Sequence, residues 1–203
     1  MGALETLGFS VGTAFASGLN LYATVAILGL LQRFHVVQLP SSLSVLSHPA
    51  VLGVAIALYA IEFVADKVPY VDNIWDAVHT FIRPPAAALV SYAAFGDGSE
   101  AWRVAGGLLA GGIALTSHGT KASARAAINT SPEPVSNWIA SAAEDGIAVF
   151  LAWMAATHPV VTIIIVAVLI ALSIYLLVKL AKFLRQVLNR LFFRSQPAES
   201  APQ

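Results

Sequence analysis

Twenty residues without a charge, Pro159 to Val178 (PVVTIIIVAVLIALSIYLLV), set the first constraint on how this chain folds. At about 1.5 Å per residue the run makes a helix of about 30 Å, the thickness of a bilayer's hydrocarbon core. Five further stretches approach that length: Glu5 to Leu31, Pro49 to Val68, Val71 to Phe95, Ala101 to Ala126 and Pro134 to Thr157. Composition agrees, because 58% hydrophobic and 11% charged residues among 203 is too apolar for a soluble domain. The mean hydropathy of +0.77 says the same. The expected fold is an all-α polytopic membrane protein of about six hydrophobic segments. A formal net charge of zero gives no electrostatic footprint for nucleic acid, and the lack of cysteine removes disulfides, thiolate metal sites and thiol nucleophiles.

Polar residues interrupt several segments, and these interruptions predict breaks or re-entrant turns. In the first, Gly8, Gly12 and Ala16 form a small-residue stripe suited to close helix packing, followed by Ser17-Gly18-Leu19-Asn20. The fourth repeats the theme with Gly107 and Gly111, then Ser117-His118-Gly119-Thr120-Lys121. The third contains Arg83-Pro84-Pro85, where two prolines forbid a regular helix running through. A weak internal repeat overlays Ser17 on Ser117 and Asn20 on Thr120, and PYVDNIW on PEPVSNW, aligning Asn73 with Asn137. Transporters built from repeats place their substrate on broken helices at the repeat interface.

The stretch Glu62 to Arg83, EFVADKVPYVDNIWDAVHTFIR, concentrates ionisable groups between lipid-soluble segments. Read as one helix, Asp72, Asp76, His79 and Arg83 fall on a single face, as do Glu62 and Asp66. Asp72 also suits an N-cap after Pro69-Tyr70. Segment five adds Asn137, Glu144 and Asp145. In and near segments two to five the acids are Glu62, Asp66, Asp72, Asp76, Glu133, Glu144 and Asp145, against the bases Lys67, Arg83, Lys121 and Arg125. If these groups converge, partial pairing leaves an excess of about three carboxyls that must be protonated, wet or bound to a cation.

Lysine and arginine placement orients the chain. With six crossings and both termini cytoplasmic, the inside holds Lys67, Lys121, Arg125, Lys179, Lys182, Arg185, Arg190 and Arg194, and the outside Arg33 and Arg103. Three regions follow: a transmembrane helical domain over residues 1–178, a basic amphipathic cytoplasmic helix over 179–194, and a disordered tail over 195–203.

The phrases SGLNLYATVAILGLLQR, EFVADKVPYVDNIWDAVHTFIRPPAAA and SHGTKASARAAINTSPEPVSNW resemble a family of bacterial integral membrane proteins known as domain of unknown function four-one-two-six. The resemblance runs from about Gly8 to Trp153 and implies a polytopic protein of the bacterial inner membrane. It implies no substrate, so the functional expectation rests on the residues. The first expectation is a small transporter or channel-like protein for a cation or protons. Its ion site is Asp72, Asp76 and His79, with Glu62 and Asp66 as vestibule and Glu144 and Asp145 as opposing wall. Asn20, Asn137 and His118 supply further polar ligands, while Arg83, Lys121 and Arg125 balance charge. Asp72, Asp76 and His79 are the candidate ligands of a divalent metal ion, the one cofactor considered. The alternatives are a membrane-embedded, metal-dependent enzyme acting on lipid headgroups with His118 or His79 as acid/base, and a membrane scaffold. Expected partners are the lipid bilayer, a small ion or molecule, and a second copy held through the small-residue faces.

Overall fold

The computed structural model of the chain describes residues 1–96, 98–130 and 134–193, and every regular element in them is helical. Helices α1 (Ala3–Leu19) and α2 (Leu21–Arg33) divide the first apolar stretch at Asn20. A 3-10 helix (Ser41–Ser47) leads into α3 (Pro49–Ala65), followed by α4 (Val71–His79) and α5 (Arg83–Ala94). Three long helices complete the chain: α6 (Glu100–Ile128), α7 (Pro134–Thr157) and α8 (Pro159–Phe193). Pro49, Pro134 and Pro159 each open a helix, where the missing N–H would have had no partner.

The break in the first stretch stands where Ser17-Gly18-Leu19-Asn20 puts it, with Asn20 extended (φ −150°, ψ 103°). The third stretch is broken too, but one turn earlier than its prolines suggest. Thr80 to Ile82 form the corner, and Arg83, Pro84 and Pro85 are the first turn of α5, a position that tolerates proline. The Asp72-to-Arg83 ladder is therefore divided between two helices. Tyr70, at φ 70°, occupies the N-cap position of α4 expected for Asp72, whose side chain instead accepts the Asn73 amide at 2.7 Å.

The fourth stretch corrects the expectation of an interruption. Helix α6 runs unbroken through Ser117 to Lys121, because its hydroxyls fold back on their own helix: Thr116 donates to the Gly112 carbonyl and Thr120 to that of Thr116, each at 2.9 Å. The repeat of a broken helix is thus not reproduced, as α1 stops at Asn20 while α6 continues past Thr120. The basic stretch after Val178 is no separate helix either, since α8 continues without a break to Phe193. The tail over residues 195–203 lies outside the described residues.

Against six expected crossings, two helices among the described residues are by themselves long and apolar enough to cross a membrane, within Val135–Thr157 and Pro159–Asn189. A third joins them if the 3-10 helix and α3, bent by 63° at their junction, count as one. The other stretches fall short because breaks shorten them or charges dilute them.

Helix α1 is the hub, packed against α5, α6, α7 and α8. Its glycines make that approach possible. A methyl group at Gly8 would strike the Pro159 carbonyl, at Gly12 Thr162 and Ala155, and at Gly18 Ser117 and the Ala114 carbonyl. Gly107 and Gly111 of α6 lie against Ala88 and Pro84 of α5. Both small-residue stripes expected to serve a second copy are thus occupied within the chain.

Burial is inverted relative to a soluble protein. Asp72, Asp76 and His79 are the buried side of α4, while Ile74 (68% exposed) and Val78 face outward. Likewise α3 encloses Glu62 and exposes Ile61, Phe63 and Val64. Water would drive such helices to turn over, whereas an apolar surrounding holds them as they are.

Candidate functional site

Helix ends create the electrostatic demand that the site meets. Breaking α1 at Asn20 and ending α3 at Asp66 leaves carbonyls at both C-termini without intrahelical donors. Three buried cations answer them. Arg83 Nη1 donates to the Gly18 carbonyl at 2.9 Å, Lys121 Nζ to that of Leu19 at 3.2 Å, and Arg125 Nη1 to that of Asp66 at 2.7 Å. Cations at the negative end of a helix dipole are favourably placed.

Each cation also has a close carboxylate. Arg83 Nη2 meets Glu62 Oε1 at 2.6 Å, and Lys121 Nζ meets Asp66 Oδ2 at 2.6 Å. Arg125 grips Glu144 with two nitrogens, Nη2 to Oε2 at 2.6 Å and Nε to Oε1 at 3.2 Å, and also reaches the Asn137 carbonyl at 3.2 Å. Lys121 is shared most widely, with Glu62 Oε1 at 3.4 Å, Glu144 Oε2 at 3.7 Å and Asp76 Oδ1 at 3.8 Å. The two residues four apart on α6, Lys121 and Arg125, place their charges in one cluster because they share a helix face.

Three carboxyls remain once those pairs are made, and they differ. Both Asp72 oxygens accept from Asn129 Nδ2, at 2.9 and 3.0 Å, and Asn137 Nδ2 steadies that amide through its oxygen at 2.9 Å. Asp145 Oδ1 accepts from Asn20 Nδ2 at 2.8 Å, while Asn20 Oδ1 caps α2 by accepting the Ala23 amide. Asp76 is 1% exposed, and neither of its oxygens has a hydrogen-bond partner. Its nearest charges are Arg83 Nη2 at 3.6 Å and Lys121 at 3.8 Å. Further buried carboxyl oxygens without a hydrogen-bond partner among the described residues are Glu62 Oε2, Asp66 Oδ1 and Asp145 Oδ2.

His118 is neutral by the chemistry of its neighbours. Arg83 Nη1 can only donate, so His118 Nδ1, 2.9 Å away, carries the lone pair, and its Nε2–H faces the Asp76 carbonyl at 3.0 Å and Thr80 Oγ1 at 2.9 Å. For His79 the Trp75 carbonyl, 2.8 Å from Nδ1, can only accept, so Nδ1 carries a proton, and Nε2 lies 3.0 Å from the Tyr22 hydroxyl, which can donate or accept. The Trp75 ring stacks on His79 with centroids 4.5 Å apart.

The expected site residues therefore gather, with a division of labour absent from the sequence reading. Glu62, Asp66, Asp76, Glu144, Arg83, Lys121 and Arg125 form one charged network, Asn20 and Asp145 one flank, and Asp72 with Asn137 another. Six carboxyls face three fully buried cations, with half-buried Lys67 at their edge on Ser141 of α7, and the acids left without a close cation partner are Asp72, Asp76 and Asp145. The metal set Asp72, Asp76 and His79 does not converge, since Asp72 turns to Asn129 and His79 to Trp75 and Tyr22. Among the described residues no group of three His, Asp or Glu could hold a metal ion. Glu133 lies outside the described residues. An apolar groove of about 890 Å³, lined by Leu4, Leu7, Leu39, Trp102 and Leu109 among others, contains none of the charged cluster.

Sequence reasoning missed Asn129, Tyr22 and Thr80. Asn129 heads a formal glycosylation sequon, Asn129-Thr130-Ser131, yet its amide is buried against Asp72. Its position eight residues from Asn137, beside an unmatched acid, was the available signal.

A family model described as Domain of unknown function (DUF4126) matches residues 7–179, so the chain belongs to that family. No relative among the curated proteins and no solved structure matches the chain.

Proposed function

We propose that this member of a family of unknown function is a small multi-pass membrane protein that moves a cation or protons through its charged cluster. The observation that carries the reading is Asp76, an enclosed carboxyl with no hydrogen bond in a network whose carboxyls outnumber its cations. The apolar exterior and the inverted helices α3 and α4 support a lipid surrounding. Glu144 and Asp145 lie near the middle of α7, a helix long enough to cross. A charge at that depth costs about 2.5–3.5 kcal/mol on insertion scales, and groups that bear such a cost line ion or proton pathways.

In the topology that fits this role, α1–α2 and α4–α5 act as broken segments beside α3, α6, α7 and α8, with both termini cytoplasmic. Lys121 and Arg125 are withdrawn into the cluster and no longer count as loop charges. The remaining balance is six against two, Lys67, Lys179, Lys182, Arg185, Arg190 and Arg194 inside against Arg33 and Arg103 outside. Family resemblance points to the bacterial inner membrane. The lipid-headgroup enzyme has less support, because the acids it would use to hold a metal are engaged by cations. The test is ion flux in proteoliposomes under imposed gradients of protons, sodium, potassium and manganese. Flux of at least one ion, lost in Asp76→Asn, is expected; flux unchanged by that substitution refutes the assignment.

A further inference from the structure

We infer that the ion handled here is the proton, and that Glu62 and Asp76 share it as a carboxyl pair between which Arg83 and Lys121 shift. This inference rests on the transport reading above and names its cargo. The geometry carries it. Glu62 comes from α3 and Asp76 from α4, yet both lie against the same two cations. Arg83 Nη2 stands 2.6 Å from Glu62 Oε1 and 3.6 Å from Asp76 Oδ1. Lys121 Nζ stands 3.4 Å from Glu62 and 3.8 Å from Asp76. Both cations thus favour Glu62, and Asp76, enclosed at 1% exposure, is left with no hydrogen bond to either oxygen.

Two carboxyls that draw on the same two cations cannot both ionise cheaply, because each negative charge needs the positive charge that the other is using. The rest of the surroundings adds to this competition. Asp66 at the end of α3 and Glu144 on α7 lie within reach of the same Lys121 ammonium, Arg125 on α6 is drawn to those two acids, and Asp145 adds a further acid on α7. Asp72 and His79 share α4 with Asp76, and neutral His118 on α6 contacts only its carbonyl. One proton on the pair relieves the conflict.

The exchange needs little movement. When Asp76 loses its proton, Arg83 Nη2 and Lys121 Nζ close on the new carboxylate, shifts of about 1.0 Å (3.6 minus 2.6) and 0.4 Å (3.8 minus 3.4) to mirror the present arrangement. Glu62, so released, takes up that proton on a carboxyl oxygen. One O–H bond breaks, one forms, and the pair keeps a single negative charge. Meanwhile the Asp76 backbone is pinned, its carbonyl accepting from the Thr80 amide at 2.9 Å and from Thr80 Oγ1 and His118 Nε2 at 3.0 Å. The side chain alone is free to change state. A metal ion would ask for several fixed ligands, whereas a proton asks for one oxygen.

Infrared spectroscopy of the reconstituted full chain at neutral pH tests the pair. Subtracting the Asp76→Asn spectrum from the wild-type spectrum is expected to leave a protonated-carboxyl C=O band that shifts in deuterated water. Subtracting the Glu62→Gln spectrum is expected to leave the same band, since either remaining carboxyl keeps both cations and ionises. Absence of the band from either difference overturns the inference, and the wild-type spectrum alone overturns it if no such band is present at all. Flux separates the two levels. Proton flux driven by a potassium diffusion potential and lost in both variants supports both. Sodium or manganese flux that depends on Asp76 without proton flux overturns the inference and leaves transport standing. The bands without flux of any ion support the shared proton and refute transport.

Discussion

Replacing Lys121 by methionine isolates what the cluster's most shared charge contributes, because the substitution keeps the apolar stem and removes the ammonium. The charge lies 2.6 Å from Asp66, 3.4 Å from Glu62, 3.7 Å from Glu144 and 3.8 Å from Asp76. At an effective dielectric constant of 20, the closest contact contributes about 6 kcal/mol and each of the others about 4–5 kcal/mol of attraction. Desolvating the ammonium and its carboxylates offsets most of this, which brings the expected net loss to the 3–5 kcal/mol or so typical of a buried pair deprived of one partner. That is a large share of a total stability of about 5–15 kcal/mol. Denaturation of the detergent-solubilised protein is the assay, followed by tryptophan fluorescence, with Trp75 stacked on His79 inside the affected region. Adding Asp66→Asn to Lys121→Met removes one of the stranded acids and is expected to recover about 0.5–3 kcal/mol relative to additivity. A single-variant loss below about 0.5 kcal/mol would place Lys121 in water and refute the buried network.

Asp76→Asn is expected to leave stability unchanged or raise it by about 1–3 kcal/mol, because the replaced carboxyl has no hydrogen bond to lose; equilibrium denaturation beside the flux assay checks the combination. Asn20→Ala removes the α2 cap and strands Asp145 Oδ1, which predicts a loss of about 1 kcal/mol for the cap and about 1–3 kcal/mol for the orphaned oxygen in the same measurement. Gly18→Ala drives a methyl group into Ser117 and the Ala114 carbonyl, so α1 and α6 must part; a loss of at least about 1–3 kcal/mol and lower yield in membranes are expected, whereas Gly112→Ala, with nothing around it, is expected to be silent.

Much of the site was readable because charge is scarce in an apolar chain. Glu62, Asp66, Asp76, Arg83, Lys121 and Glu144 stand out against their segments, and the structure brings them within reach of one another. The break at Asn20 was readable for the same reason, being a polar, glycine-adjacent point in an apolar helix. The continuity of α6 was not, because Ser117-His118-Gly119-Thr120-Lys121 looks like a breaker in one dimension. In three dimensions its side chains turn inward or bond back to their own helix. Pairing was also out of reach. That Asp72 would choose Asn129 over a metal set with His79 depends on where the end of α6 meets α4, which no local pattern specifies.

Structural need accounts for most of this network, and the residue it leaves over is informative. The helix ends at Leu19 and Asp66 call for cations, and Arg83, Lys121 and Arg125 supply them. Three cations at low dielectric call for three anions, and Glu62, Asp66 and Glu144 are those. Asp145 fixes the Asn20 break, and Asp72 joins the end of α6 to α4 through Asn129. Asp76 does none of these things. A sixth acid worsens the charge balance, accepts no hydrogen bond, and would be replaced at no structural cost by an amide or an apolar residue of similar size. Local inconsistency of this kind is expected where function, rather than folding, selects the residue. A carboxyl in that position fits the proposed transport, in which an enclosed acid between two shared cations gains and loses a positive charge.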